Sequence, residues 1–135
     1  MNDFTSALSL SASGMQAQAQ RLRYVSENVA NADTPGYHRK QAAFEEVVQD
    51  AGFSDTETPK AVTLGDVTLD ESALPRIFQP GHPMADETGY LDGSNVDLVV
   101  EMADAREAQR TYEANLRMFD QARQMSSAVL DLLRR

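Results

Sequence analysis

The sequence predicts a mainly α-helical protein in which long N- and C-terminal helices form an antiparallel coiled coil, with a small, irregular, β-containing central region. Two observations predict this class. All five prolines and six of the seven glycines lie between Pro35 and Gly93, so both ends lack helix-breaking residues over long stretches. Apolar residues recur at heptad spacing in both ends, which is typical of helices that pack along one stripe. We therefore divide the chain into residues 1–34, 35–94 and 95–135.

The first expected element is a helix over residues 3–31. Its heptad positions are mostly apolar, with two polar exceptions, and they are Phe4, Leu8, Ser11, Met15, Gln18, Leu22, Val25 and Val29. At about 1.5 Å per residue, such a helix is roughly 43 Å long. Because its apolar stripe is narrow and no nearby segment covers it, we expect a second helix to pack against it.

The central residues 35–94 are expected to form short strands and loops. Two runs of strand-forming residues, 61–64 and 67–69, are separated by a Gly-Asp turn signal. Residues 73–83 can hold an edge strand at most, because their three prolines remove hydrogen-bond donors from the ladder. Residues 41–50 fit a helical turn or a strand equally well, and the pattern leaves that choice open.

The last expected element is a helix that fills residues 95–135. Residues 94–97 fit a capping box with Ser94 as the N-cap, and neither glycine nor proline follows them. A helix of about 40 residues is far longer than the globular mean of about 11–12 residues. Such a length indicates a coiled coil or a piece of an assembly.

The apolar heptad positions of the two helices are the expected coiled-coil and assembly interface. On the first helix they are Leu8, Met15, Leu22, Val25 and Val29, and on the second they are Leu98, Met102, Tyr112, Leu116, Phe119, Leu130 and Leu133. We expect the first set to meet the second within one chain. Flanking apolar residues widen the stripe of the second helix beyond a two-helix seam, so we also expect contacts with neighbouring subunits.

The residues form no recognisable catalytic or metal-binding pattern. The only histidines, His38 and His82, are 44 positions apart and share no helix with a carboxylate at ligand spacing, so we expect no metal site. Phosphate-binding and nucleophile motifs do not occur, which predicts no enzymatic activity, no cofactor and no small-molecule substrate. The chain has no cysteine and no apolar stretch long enough to span a bilayer.

The net charge of −9 belongs to the middle of the chain. Residues 41–94 hold eleven acidic and two basic side chains, whereas residues 1–40 and 95–135 carry net charges of +1 and −1. Binding to nucleic acid needs a concentrated basic surface, so we expect no nucleic-acid partner. Like charge opposes the packing of repeated copies, and we therefore expect the acidic middle to face outward.

One motif is more specific than the rest and lies at the end of the first helix. It consists of Asn28, Val29, Ala30, Asn31, Ala32, Asp33, Thr34, Pro35, Gly36 and Tyr37. Asn28 and Asn31 share a helix face, where their amides can bond the last carbonyls or a neighbouring chain. Proline and glycine then fit the central positions of a type II turn, with Gly36 at positive φ. We expect these residues to fix where the helix passes into the central region.

This motif resembles the N-terminal signature of the bacterial flagellar rod and hook proteins. Residues 95–102 (Asn-Val-Asp-Leu-Val-Val-Glu-Met) and 110–115 (Arg-Thr-Tyr-Glu-Ala-Asn) resemble the second signature of that family. Together the two matches cover about half of the chain. The central motif, which is Pro80, Gly81, His82 and Pro83, resembles one of the two short proximal rod types, and the other type is the alternative.

The resemblance implies a structural subunit of the axial tube of the bacterial flagellum. It implies export by the flagellar type III apparatus without a cleavable signal peptide, and a place in the basal body, where the rod crosses the periplasm. The implied partners are copies of the chain itself, the other proximal rod protein, the distal rod proteins and the adaptor protein FliE. The competing hypothesis is a helical adaptor or export chaperone that binds partner helices without polymerising.

Overall fold

Two long helices dominate the computed structural model, which describes residues 2–47 and 61–134. In chain order the elements of this part are α1 (Asn2–Ala30), β1 (Lys40–Gln41), β2 (Phe44–Val47), β3 (Ala61–Leu64), β4 (Thr68–Leu69), β5 (Arg76–Phe78), β6 (Tyr90–Asp92) and α2 (Leu98–Leu133). The prediction of a mainly α-helical chain with a small β-containing middle is confirmed. Neither described helix has a stretch that is long and apolar enough to cross a membrane.

The first four strands form an interrupted antiparallel ribbon. Strand β2 pairs with β3, with Phe44 opposite Leu64, and β1 pairs with β4, with Lys40 opposite Leu69. Residues 44–47 are therefore a strand, whereas the sequence pattern left a helical turn or a strand open for residues 41–50. Residues 48–60 lie outside the described residues. The two strand runs are confirmed as strands, but they do not pair with each other. The N–H of Gly65 instead donates to the carbonyl of Ala43 at 2.8 Å, so the ribbon continues through the expected turn.

A separate antiparallel hairpin is formed by β5 and β6. Ile77 lies opposite Leu91, whose side chain is buried, and the Phe78 and Tyr90 rings contact each other with centroids 5.0 Å apart. The expected edge strand in residues 73–83 is thus confirmed as β5. In the connection, Oδ1 of Asp86 accepts hydrogen bonds from the Thr88 N–H at 2.8 Å and the Tyr90 N–H at 3.0 Å. Its Oδ2 pairs with Arg76.

The Asp86 carboxylate makes this hairpin sensitive to acid. Hydrogen bonds from the Thr88 hydroxyl and the Tyr90 N–H lower the pKa of Asp86 from 3.8 to about 2. A pKa that is lowered on folding stabilises the hairpin above about pH 4, and this stabilisation is lost as the pH falls toward 2. We expect the NMR amide signals of Thr88 and Tyr90 to shift as the pH is lowered, with a midpoint at about pH 2. Asp86→Asn should abolish this titration, and a midpoint of 3.8 in the unaltered chain would contradict the lowered pKa.

Helices α1 and α2 pack against each other through small and polar residues. The buried side chains on the two helices are Ser11, Ala17, Gln18, Val25 and Asn28 on α1, with Glu101, Ala108 and Ala122 on α2. A β-carbon added at Gly14 would lie only 2.8 Å from Nδ2 of Asn115, so glycine permits a close approach of the helices there. The ribbon packs on another face of α1, where the N–H of Val62 donates to Oγ of Ser13 at 3.2 Å.

This packing corrects the expected interface within the chain. On α1, Val25 is buried and Leu8, Met15 and Leu22 are half-buried, but Val29 is exposed. On α2, Phe119 is half-buried, whereas the other six expected residues are exposed, namely Leu98, Met102, Tyr112, Leu116, Leu130 and Leu133. The physical reason is that the face of α2 toward α1 carries alanine, asparagine and a buried glutamate, and residues such as Met102 and Leu116 lie beside that face. Leu130 and Leu133 lie beyond the level at which α1 begins, so no part of α1 covers them.

The start of α2 also differs from the expected capping box. Asp97 is the N-cap, and its Oδ1 accepts from the Val99 N–H at 2.9 Å. Ser94 only makes a local bond, with its Oγ accepting from the Val96 N–H at 3.1 Å. Asn95 is tied to the preceding segment because its side chain accepts from the Arg39 N–H. Residues 94–96 lie outside the helix, which therefore begins three residues later than the pattern suggested.

Candidate functional site at the helix junction

The end of α1 is shaped by the motif that the sequence analysis singled out. Nδ2 of Asn31 donates to the carbonyl of Glu27 at 2.8 Å, which caps the last turn of the helix. Gly36 has a φ of 74°, and the N–H of Tyr37 donates to the carbonyl of Thr34 at 3.2 Å. Both features confirm the expected tight turn with glycine at positive φ. The chain consequently reverses and runs back along the end of α1.

Asn28 is the centre of what we call the helix junction, defined as Asn28, Tyr37, Arg39, Lys40, Asn95, Glu101 and Asp104. Its side chain is only 1% exposed. Oδ1 accepts from the Lys40 N–H at 2.9 Å and from the Tyr37 hydroxyl at 3.0 Å. Nδ2 donates to the Lys40 carbonyl at 2.9 Å and to Oε2 of Glu101 at 3.2 Å. The amide therefore uses all four of its hydrogen-bonding positions and joins α1, β1 and α2.

Glu101 gives the junction a buried charge. It is 0% exposed, and its other oxygen, Oε1, accepts from Nε of Arg39. The same guanidinium donates from Nη2 to Oδ2 of Asp104 at 2.7 Å, and Arg21 of α1 contacts Oδ1 of Asp104 at 3.2 Å. Burial acts to lower the pKa of Arg39, but the hydrogen bond and charge of Glu101 outweigh it and raise the pKa above its ordinary value. The arginine therefore remains a cation in the junction.

Asn95 connects the start of α2 to the ribbon. Its Oδ1 accepts from the Arg39 N–H at 2.6 Å, and its Nδ2 donates to the Asp70 carbonyl at 2.8 Å. Nδ1 of His38 donates to the same carbonyl at 2.8 Å. Residues of the N-terminal motif and of the C-terminal motif, which are at least 58 positions apart in sequence, thus meet in one hydrogen-bonded cluster.

An exposed ion pair flanks the cluster. Nζ of Lys40 lies 2.7 Å from Oε2 of Glu27. The hydrogen bond to Lys40 lowers the pKa of Glu27, and the same bond raises the pKa of Lys40. Because both groups are open to solvent, this pair adds little to stability compared with the buried contacts of Glu101.

The chemistry of the junction is that of a structural joint. A cavity of about 270 Å³ adjoins it and is lined by charged side chains that include Arg21, Arg39, Lys40, Glu101 and Asp104. These five groups are paired with one another or with Glu27, so the cavity presents no uncompensated charge to a ligand. Within residues 2–47 and 61–134, no group of three or more His, Asp or Glu residues could hold a metal ion.

The structure distributes the expected site residues over three places. Asn28 and Tyr37 lie in the junction, and the remaining motif residues, which are Val29, Ala30, Asn31, Ala32, Asp33, Thr34, Pro35 and Gly36, form the end of α1 and its turn. The central motif lies far along the chain in the β5–β6 connection, where Pro80, Gly81 and Pro83 are exposed and His82 is half-buried. Nδ1 of His82 accepts from the Met84 N–H at 3.1 Å.

Sequence reasoning missed the charged members of the junction. The sequence pattern places Asn95 and Glu101 in the second motif without indicating a role in the junction, and it does not single out Arg39, Lys40 or Asp104. One signal was present, because Glu101, Ala108 and Ala122 recur in register with heptad spacing. An acidic residue in line with alanines suggests a narrow, buried helix face. The basic partner of Glu101 is Arg39, which follows the turn of the N-terminal motif. The local sequence pattern does not show that this turn brings Arg39 close to Glu101.

Comparisons with known proteins match the two motifs that meet at the junction. The family described as "Flagella basal body rod protein" matches residues 8–38, and the family described as "Flagellar basal body rod FlgEFG protein C-terminal" matches residues 87–132. The chain therefore belongs to the flagellar basal-body rod protein family.

The relatives of the chain specify the type within this family. The flagellar basal-body rod protein FlgC of Agrobacterium fabrum is 38% identical over 99% of this chain and 98% of its own length. FlgC of Aquifex aeolicus is 37% identical over 88% and 89%, and FlgC of Escherichia coli O157:H7 is 31% identical over 91% and 92%. The expectation drawn from the central motif was FlgC, with the neighbouring proximal rod protein FlgB as the alternative. These similarities confirm the FlgC type.

Proposed function

We propose that the chain is a structural subunit of the proximal rod of the flagellar basal body and polymerises through its helices into the axial tube used for motility. The observation that carries this proposal is the apolar surface of α2. Large apolar side chains lie exposed on both sides of the face that packs on α1. A helix with three apolar or small-residue faces is suited to contact more than one neighbouring helix.

The two exposed sides of α2 follow helical spacing. One side carries Leu98, Met102, Tyr112, Leu116 and Leu130, and the other carries Met118, Met125 and Leu132. In a helix of 3.6 residues per turn, these sets lie to either side of Glu101, Ala108 and Ala122. The first set contains five of the seven residues of this helix that are expected from the sequence to form a coiled-coil and assembly interface. We retain their role in assembly as a proposal, with neighbouring subunits in place of α1 as the partner.

Two different apolar sides favour a polymer over a closed dimer. A subunit that uses one side to contact one neighbour and the other side to contact a second neighbour makes a heterologous interface, and such contacts propagate into rings or helical filaments. The paired terminal helices would form the wall of that tube. We also propose that α1 and α2 pair as an antiparallel coiled coil, because Asn28 contacts Glu101 whereas Gly14 approaches Asn115.

The proposed organisation follows the three parts of the sequence. Residues 1–34 and 95–135 build the tube, and the acidic residues 35–94 face outward. The proposed partners are further copies of the chain, FlgB-like and distal rod proteins, a FliE-like adaptor at the base and the type III export apparatus. We propose that the rod crosses the periplasm, that export needs no cleavable signal peptide, and that the subunit has no enzymatic activity, no cofactor and no nucleic-acid partner.

Leu116→Asp tests the assembly surface. Leu116 is exposed in the single chain, so the variant should keep the helical circular dichroism spectrum of the parent. If neighbouring subunits bury this position, an unpaired carboxylate there costs several kcal/mol. We therefore expect the increase in scattered light during assembly to fall by about tenfold or more. Rod assembly in cells should fall in parallel.

Gln124→Asp is the matched control, because it places the same carboxylate on the polar, exposed side of α2. It should assemble like the parent chain. Normal assembly of Leu116→Asp would contradict the proposed interface. A helical adaptor or chaperone predicts a different result for the parent chain, namely complexes of fixed stoichiometry whose size does not grow with concentration.

A further inference from the structure

An apolar groove lies between α1 and the ribbon. It has a volume of about 400 Å³ and is lined by Leu10, Phe44, Glu45, Glu46 and Val62. Leu10 and Phe44 are each 42% exposed, although both are large apolar side chains. The groove therefore combines apolar walls with the acidic side chain of Glu45, and it fits an apolar segment that carries a positive charge.

The end of α2 extends past the start of α1. Asn28 contacts Glu101 and Gly14 approaches Asn115, so each residue toward the start of α1 corresponds to one residue toward the end of α2. In this register Asn2 lies beside about residue 127 of α2. We call residues 128–134 the C-terminal overhang. Leu132 and Leu133 within it are 71% and 74% exposed. Arg134 follows them directly, and the sequence adds Arg135.

We propose that the C-terminal overhang of one copy docks in the groove of a neighbouring copy. This inference rests on the proposed self-assembly and specifies one of its contacts. The two leucines would fill the apolar part of the groove, and the basic end would face Glu45. Charge of opposite sign on the two surfaces fixes orientation and disfavours the reverse fit.

The overhang cannot reach the groove of its own chain. Leu10 lies at the level of about residue 119 of α2, by the same pairing of the helices. Helix α2 runs without interruption to Leu133, which places the overhang about 20 Å beyond that level at 1.5 Å per residue. A second copy is therefore the occupant that fits the geometry.

Cysteine cross-linking tests this contact directly, because the chain contains no cysteine. One copy carries Leu10→Cys in the groove and another carries Leu133→Cys in the overhang. Mild oxidation of the mixture should produce a disulfide-linked pair of two different copies. The matched control mixes Leu133→Cys with Met84→Cys, which lies in the β5–β6 connection and is more accessible than Leu10, at 65% against 42% exposed. Cross-linking of the control mixture should stay at the level of random collision.

A charge reversal tests the electrostatic part of the proposal. Arg134→Glu in the overhang copy should lower the cross-linked fraction by roughly two- to fivefold, as expected for an exposed ion pair. Glu45→Arg in the copy that carries the groove cysteine should restore the cross-linked fraction. Equal cross-linking in the groove and control mixtures would overturn the proposal. Efficient, concentration-independent cross-linking within a single chain that carries both cysteines would also overturn it.

The same samples separate this inference from the proposed function. Light scattering that grows with concentration, without excess groove cross-linking, supports assembly but overturns the docking contact. Groove cross-links in a sample that never grows beyond small species support the docking contact and contradict the rod-subunit proposal. The two hypotheses therefore fail in different measurements.

Discussion

Replacing Glu101 by alanine is expected to lower the free energy of unfolding by about 3–5 kcal/mol. Glu101 is fully buried and pairs with Arg39, while its second oxygen accepts from Asn28. Without the carboxylate, the guanidinium stays in the junction with only Asp104 as its acidic partner. Urea unfolding followed by circular dichroism measures the loss.

Glu113→Ala is the control for this prediction, because it removes the same side chain from an exposed position on the same helix. This substitution should change the free energy of unfolding by no more than about 0.5 kcal/mol. Glu101→Gln keeps the shape and one acceptor, so its loss should be smaller than that of alanine. If Glu101→Ala and Glu113→Ala unfold at the same urea concentration, the buried ion pair does not stabilise the junction.

Asn28→Ala is the second substitution with a large expected effect. It leaves the N–H and carbonyl of Lys40, the Tyr37 hydroxyl and one oxygen of Glu101 without the partner they have in the junction. A buried polar group that loses its partner costs about 1–3 kcal/mol, so we expect a total loss of about 3 kcal/mol after partial relaxation. The same urea experiment applies.

Asn31→Ala is the matched control within the same motif. Asn31 is half-buried, and its amide bonds only the Glu27 carbonyl and the Thr34 hydroxyl. We expect it to cost about 1 kcal/mol or less. Equal losses for the two asparagines would show that the motif acts only through helix capping. The double variant Asn28→Ala, Glu101→Ala should lose less than the two single losses combined, because the residues share one hydrogen bond.

The helices and the turn of this fold could be predicted because their causes are local. Heptad spacing and the absence of proline indicate α1 and α2 directly. Thr34, Pro35 and Gly36 restrict their own backbone, so the turn after α1 follows from the residues that form it. Short strands in the middle could be recognised by composition for the same reason. Their pairing could not, since Gly65 bonds to Ala43 across the ribbon.

The face of α2 that meets α1 could not be predicted because hydropathy favours a different face. The largest apolar residues, such as Leu116 and Met102, indicate the strongest stripe, but in the single chain that stripe is exposed. The face that is buried contains Glu101 and Asn115, which a hydropathy pattern assigns to solvent. In a chain that forms an assembly, the strongest apolar stripe is available for another subunit. Local periodicity cannot distinguish these two partners.

The junction escaped prediction because its contacts span long stretches of sequence. Asn28 and Glu101 are 73 positions apart, and each residue alone is compatible with an exposed helix surface. Their meeting depends on the turn at Gly36, which returns Arg39 and Lys40 to the helix end. The cap of α2 was mispredicted for a related reason, since Asn95 is tethered to Arg39 before the helix begins.

The close approach at Gly14 has a mechanical consequence. If α1 slid along α2 by one heptad, about 10 Å, either Ala7 or Arg21 would replace glycine at the level of Asn115. Either side chain would displace the amide of Asn115 from its place against the glycine, and the sliding would also break the contact of Asn28 with Glu101. Shear between the two helices is therefore opposed at two points that are far apart. Under a twisting load, we expect the pair to turn as a single stiff strut.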